Sequence, residues 1–130
     1  MEQVIQSTEL DYTILNFYDN YVVSRVREGA IISGEEIKDL VNRCSNFYED
    51  RDFVYISKRV TNYNVDPTIY LNLDKVENLA GIAIVSSKVS SLKMANFEQK
   101  FSKVPFNIFL ELEEALEWRK DVIKNKKAGL

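Results

Sequence analysis

A short apolar run that breaks into a polar loop constrains the architecture of this chain more than any other feature. The segment from Phe53 to Asp66 reads FVYISKRVTNYNVD, and Pro67 follows it directly. A strand, a polar loop and a capped helix start, in this order, are typical of α/β proteins, which build binding surfaces at such turns. The segment therefore predicts both a sheet strand and a place for a functional site.

The residues before this segment predict a β-hairpin followed by a helix. Residues 10–26 are rich in β-branched and aromatic side chains and are interrupted by Tyr18-Asp19-Asn20-Tyr21, as in a hairpin. Ser33 and Glu36 have the spacing of a capping box, so a helix should begin there. One helix face then carries apolar residues at three- and four-residue steps: Ile37, Leu40, Val41, Cys44, Phe47 and Tyr48. Because Cys44 lies in this stripe, we interpret it as a core residue and not as a nucleophile.

Two continuous apolar runs predict strands that helices cover on both faces. They are 53–56, expected as a central strand, and 81–85. Between them, Asp66 can cap a helix and Pro67 suits its first turn, so we expect a helix that ends at 79–81. The alternation of residues 68–73 would also fit a strand.

The last third of the chain continues the alternation of strands and helices. A broad apolar face predicts a helix over 92–103, which Pro105 prevents from continuing. A strand over 106–110 and a closing helix with early glutamates and late lysines follow. We therefore expect an α/β sandwich, with a mostly parallel sheet of about five strands, an N-terminal antiparallel hairpin and helices packed on the sheet.

The composition excludes several classes of function. The 130 residues fit a single domain, with a core from about 10 to 123. With 20 acidic and 17 basic side chains, the chain lacks the positive charge that drives nucleic-acid binding. No apolar stretch approaches the roughly 18 residues of a membrane span. The N-terminus lacks a secretory signal and the single cysteine allows no internal disulfide, so we expect a soluble, cytoplasmic protein.

The absence of histidine argues against catalysis. Histidine is the most common general base and the most common metal ligand, and the chain has none. No glycine-rich phosphate loop occurs among its four glycines. We therefore expect no enzymatic activity, no catalytic residue, no metal and no cofactor. An enzyme built on lysine, tyrosine, serine or carboxylate groups stays as a minor alternative.

The order of strands and helices resembles that of a known family. The strand IAIVSS at 82–87 leads into a helix, and the closing helix begins with LEEALEW at 112–118. Together with the small size of the chain, these features resemble the STAS-type domains of bacterial anti-sigma-factor antagonists, and most closely their single-domain relatives. The resemblance covers about Leu10 to Ile123. It implies a non-enzymatic regulatory or binding module that acts through protein–protein interaction.

Regulation in that family can run through a serine at the N-terminus of the helix after the central strand, within an Asp-Ser-Gly-like turn. Phosphorylation there adds charge that changes how a partner docks. The corresponding loop of this chain, 58–66, contains no Ser-Gly pair. Ser57 and Thr61 are the nearest hydroxyls and the candidate phosphorylation sites, although neither has the family's sequence context.

Three loops are expected beyond the carboxyl ends of the parallel strands, where ligands usually bind: 27–33, 59–66 and 86–91. If they cluster, their hydrogen-bond donors would lie beside helix N-termini and could hold a carboxylate or phosphate group. The candidate binding residues are Arg59, Asn62, Tyr63, Ser86, Ser87 and Lys88. In the alternative interpretation Arg59 pairs with a surface carboxylate, Asn62 shapes the turn and the serines cap a helix.

These loops lead to two hypotheses about partners. In the first, they dock a partner protein; in the second, they hold a small anionic or lipid-like molecule, as in a carrier or sensor. Edge pairing of the N-terminal hairpin would in addition support a homodimer.

Overall fold

A computed structural model describes residues 3–59, 63–65, 73, 75–87 and 89–129, with residues 63–65, 89–91 and 94 described by their backbone alone. The described part contains eight strands and three helices. In chain order they are β1 (Gln6–Glu9), β2 (Thr13–Phe17), β3 (Tyr21–Val26), β4 (Ala30–Ile32), α1 (Gly34–Tyr48), β5 (Phe53–Lys58), β6 (Tyr63–Val65), β7 (Leu79–Val85), α2 (Val89–Gln99), β8 (Phe106–Phe109) and α3 (Leu112–Lys127). The alternation confirms the α/β class.

Six of these strands form one mixed sheet in the order β1-β2-β3-β5-β7-β8. The first three are antiparallel, whereas β3, β5, β7 and β8 run parallel to one another. β4 and β6 form a separate parallel pair. The expected mostly parallel sheet with an N-terminal antiparallel hairpin is confirmed, and it has one strand more than the expected five.

The two faces of the sheet carry separate cores. On the face covered by α1 and α2, called the α1 face, residues such as Phe17, Val22 and Ile82 pack against helix residues such as Leu40. On the opposite face, called the α3 face, Val54 and its neighbours pack against α3. β7 is buried along its whole length, as its continuous apolar run predicts.

Helix α1 forms where its sequence pattern predicts. The predicted capping box is present, with the Ser33 N–H donating to the Glu36 carboxylate at 3.4 Å. The Ser33 hydroxyl donates to the same carboxylate at 2.8 Å. All six residues of the predicted apolar stripe are buried or pack against the core, including Cys44. The hairpin of β2 and β3 is confirmed as well, with Tyr18 N–H donating to Tyr21 O at 2.8 Å.

Several element boundaries differ from the prediction. Residues 79–81 were expected to end a helix, but they begin β7, because Leu79 pairs with Phe53 in the sheet. The expected helix from Asp66-Pro67 lies outside the described residues, apart from the single helical residue Leu73. Helix α2 begins at Val89 and ends at Gln99, and tight turns through residue 102 replace its expected last turn.

Three short strands were not predicted. β1 lies before residue 10, where the predicted core begins, and β4 and β6 lie in segments that were expected to be loops. Each has only three or four residues, which is too short for a periodic pattern to reveal.

Among the described residues, no helix has both the length and the apolar character that crossing a bilayer requires.

Candidate functional site

The carboxyl ends of the four parallel strands lie at one edge of the sheet, called the carboxyl edge, and the three expected loops start there. The segment after β3 contains β4, and the segment after β5 contains β6. These two strands pair in parallel, with Ala30 opposite Tyr63 and Ile32 opposite Val65. The structure therefore brings the segments 27–33 and 59–66 together beyond the sheet.

The third segment, which follows β7, joins the same edge. The Arg59 N–H donates to Val85 O at 2.9 Å, and the Ser86 N–H donates to Phe109 O at 3.0 Å. These two bonds extend the ladder of parallel pairs by one residue past β5 and β7. Arg59 and Ser86 consequently lie on neighbouring strand ends.

A buried ion pair is the strongest electrostatic feature of the carboxyl edge. The Arg59 guanidinium donates two hydrogen bonds to the Glu98 carboxylate, at 2.5 and 2.8 Å, and its Nε donates to Ser57 Oγ at 3.0 Å. Arg59 is 3% exposed and Glu98 is fully buried. Such a two-pronged contact is the preferred geometry of an arginine with a carboxylate. It ties the end of β5 to the C-terminal end of α2.

The ion pair continues a row of buried polar side chains across the α1 face. The Thr13 and Ser24 hydroxyls are 2.6 Å apart, and Ser24 lies opposite Ser57 in the pairing of β3 with β5. Among the described side chains, every buried nitrogen or oxygen atom has a hydrogen-bond partner. The side chains of this row therefore have hydrogen-bond partners inside the protein, which offsets the cost of burying polar groups.

The predicted binding residues fall into different environments. Ser86 is buried at the end of β7, and Ser87 is exposed beside it. The backbone of Tyr63 lies in β6, while its side chain, Asn62 and Lys88 lie outside the described residues. Arg59 pairs with a carboxylate, as the alternative interpretation expected, but that carboxylate is buried and not on the surface.

The two candidate phosphorylation sites also differ in what the structure describes. Ser57 is buried on β5 and its hydroxyl accepts the bond from Arg59 Nε. Thr61 lies outside the described residues. A kinase cannot reach the Ser57 hydroxyl without opening the contact between β5 and α2.

Glu98 is the residue of this site that the sequence analysis missed. It is three residues after Ala95, which is buried on the side of α2 that faces the sheet. The available signal had two parts: a carboxylate at a helical position that faces inward, and an arginine at the end of a strand. Charged residues are rarely fully buried, so the pattern alone favoured a solvent-exposed position.

A small apolar cavity lies under α1, away from the ion pair. Its volume is about 30 Å³, and its lining is almost entirely carbon: Ile37, Leu40, Val41, Cys44, Phe53, Tyr55, Leu73, Val76 and Leu79. Cavities that hold a benzene molecule measure roughly 150 Å³. The space is therefore too small for an acyl chain unless the surrounding residues move.

An acidic groove opens beside the start of α1. Asp11, Glu28, Glu35, Glu36 and Asp39 line it, together with Tyr12. The Tyr12 hydroxyl donates to Asp39 at 2.9 Å, and burial together with this bond raises the pKa of Tyr12.

No cluster of histidine, cysteine or carboxylate ligands suited to a metal ion occurs in the part of the chain that the structure describes.

Burial makes Cys44 a source of alkaline sensitivity, because it raises the pKa of the thiol from its ordinary 9.0 to about 12. Above about pH 9 the unfolded chain loses this proton and the folded protein keeps it, so stability falls by about 1.4 kcal/mol per pH unit until pH 12. We expect the loss of stability between pH 8 and pH 10 to be about 1.4 kcal/mol smaller in Cys44→Ala than in the unmodified protein. Urea unfolding of both proteins at both pH values measures this difference, and equal losses would contradict it.

Exposed apolar side chains flank the carboxyl edge. Ile31 of β4 is 64% exposed and Leu110, directly after β8, is 57% exposed. Ser87 follows β7, the strand between them, and is exposed too.

The chain was compared with family models, curated proteins and solved structures, and none of them matches it.

Proposed function

We propose that the protein is a non-enzymatic binding module that docks a partner protein at the carboxyl edge of its sheet. The observation that carries the proposal is the exposure of Ile31 and Leu110 at that edge. Large apolar side chains in contact with water favour burial against another protein surface. The polar groups beneath them are engaged with one another, which leaves the edge as a preformed platform and not a reactive cleft.

The resemblance to STAS-type domains fits this proposal, because those domains act by docking proteins in the cytoplasm. Under that hypothesis the module is regulatory and the partner binds the segments after β3, β5 and β7. The buried position of Ser57 gives a phosphorylation switch little support. Regulation would then depend on which partner is present and not on a modified serine.

The carrier hypothesis draws on the apolar cavity beneath α1. Its volume of about 30 Å³ limits a bound molecule to a few atoms. The Arg59 donors that were expected to hold an anion are directed at Glu98 and Ser57. Partner docking is for these reasons the better supported of the two.

A charge placed on the docking edge tests the proposal. We expect Ile31→Asp and Leu110→Asp to weaken binding of the partner at least about tenfold, because each buries a carboxylate in the interface. The matched control is Val4→Asp, which adds the same charge to an exposed apolar position before β1. All three variants should unfold within about 0.5 kcal/mol of the unmodified protein, since the sites are exposed.

The measurement is quantitative capture from the protein's own cells, followed by titration of the purified partner. Loss of binding in both edge variants and retention in Val4→Asp supports the proposal. Equal binding by all three variants, or no partner at all, contradicts it.

A further inference from the structure

The two outer strands of the six-stranded sheet differ in whether side chains bond to their outward backbone groups. Any outer strand presents backbone N–H and C=O groups that point away from the sheet and can bond to another strand. β1 and β8 are the outer strands here. Proteins block such groups unless they use them, so a difference between the two edges carries information about assembly.

Side chains occupy two of the outward backbone groups on the edge of β8. Pro105 O and Phe109 O accept bonds from β7 and its extension, so the backbone groups of Phe106 and Ile108 point outward. Gln99 Nε2 donates to Phe106 O at 3.0 Å, and the Ile108 N–H donates to Asn107 Oδ1 at 2.8 Å. Two amide side chains thereby occupy the sites where another strand would bond.

The edge of β1 has no such closure. The Leu10 N–H donates to Thr13 O at 2.8 Å, and bonding alternates along an antiparallel pair, so Gln6 and Thr8 bond to β2. The backbone groups of Ser7 and Glu9 therefore point outward. The Ser7 hydroxyl is directed across the sheet to Asn16 Oδ1 at 2.9 Å and does not cover this edge. Within the described residues, no side chain bonds to these outward groups.

We propose that two copies of this chain associate by antiparallel pairing of their β1 strands across a two-fold axis. The pairing joins Ser7 of each copy to Glu9 of the other and satisfies both outward edges at once. Glu9 is the one charged residue in 3–10, and this register sets it opposite a serine and not opposite a second carboxylate. Because the two-fold axis pairs the β1 edge of each copy with the β1 edge of the other, the assembly stops at a dimer.

A pair of substitutions at Ser7 separates edge pairing from other contacts. Ser7→Pro removes the outward N–H, and proline is tolerated where a strand's N–H faces solvent. Ser7→Val keeps that N–H and is the matched control, since both variants lose the hydroxyl bond to Asn16. By sedimentation equilibrium over a wide concentration range, we expect a reversible dimer for the unmodified protein and Ser7→Val. We expect the dissociation constant of Ser7→Pro to rise at least about tenfold.

Amide hydrogen exchange in the unmodified protein gives a second readout that does not depend on the fold of a variant. The Ser7 and Glu9 amides should exchange rapidly in dilute protein and slowly at dimer concentrations. The Leu10 amide, bonded within the chain, should be protected in both. A monomer at every concentration, equal association of the two Ser7 variants, or a dimer without protection of Ser7 and Glu9 would each overturn the proposal.

Discussion

Replacing Glu98 by glutamine lowers the free energy of unfolding by about 3–5 kcal/mol, because it leaves the Arg59 guanidinium buried without a counter-charge. Glutamine keeps nearly the same shape and offers only one oxygen where the carboxylate offers two. The guanidinium is 3% exposed, so water cannot replace the missing charge. Urea unfolding at neutral pH measures the loss. For a domain of this size, the change is a large part of the total stability.

Two controls accompany this substitution. Glu113→Gln makes the same chemical change at an exposed position in the first turn of α3 and should cost no more than about 0.5 kcal/mol. The double variant Arg59→Met with Glu98→Met removes both charges together and should recover most of the loss, since no unpaired charge remains. A cost below about 1 kcal/mol for Glu98→Gln would show that the pair is hydrated in solution.

Replacing Tyr48 by alanine is expected to cost about 3–5 kcal/mol, the range for removing a large aromatic side chain from a core. Tyr48 is fully buried at the end of α1. Its ring stacks on Phe53 with 4.5 Å between centroids and also contacts Phe17 and Phe47. Its hydroxyl donates to the carbonyl oxygens of the turn between β2 and β3, including Tyr18 O at 2.9 Å.

Tyr48→Phe separates the ring from the hydroxyl. It keeps the aromatic contacts and removes only the hydrogen bonds to the turn, so we expect a cost of about 1–2 kcal/mol. Both variants are measured by urea unfolding beside the unmodified protein. If alanine costs no more than phenylalanine, the aromatic cluster is not the source of stability and the prediction is wrong.

The sequence predicted those elements whose own residues carry the pattern. Helix α1 has both its capping box and its apolar stripe within one segment, and β7 has a continuous apolar run. Such patterns predict an element correctly because the residues of that segment alone define which of its faces is buried. The start of β7 was misplaced for the opposite reason, since only its pairing with Phe53 decides that Leu79 belongs to a strand.

β1 shows why the remaining strands could not be predicted. Its residues QSTE are mostly exposed and carry no apolar alternation. The strand exists because β2 offers it a bonding edge, which is information from another part of the chain. β4 and β6 likewise define each other by pairing across 33 positions, with Ala30 opposite Tyr63.

The sequence predicted that the segments after the parallel strands meet, but it did not predict all of the side chains that lie there. The rule for parallel sheets led to the carboxyl edge, and the segments after β3 and β5 do meet there. The rule could not identify Glu98, because the carboxylate reaches Arg59 from a helix 39 positions later. Its burial depends on how α2 lies on the sheet, which a helical pattern leaves open.

The ion pair also determines which of several similar arrangements α2 adopts. Of the side chains that the structure describes on this helix, those of Ala95 and Glu98 are buried and that of Phe97 is exposed, so Glu98 is a large part of the described face that α2 turns to the sheet. A shift by one residue or by one turn would carry Glu98 away from Arg59 and leave two charges unmatched in a dry environment. The pair therefore adds little net attraction between helix and sheet, and it disfavours any docking of α2 that separates the two charges.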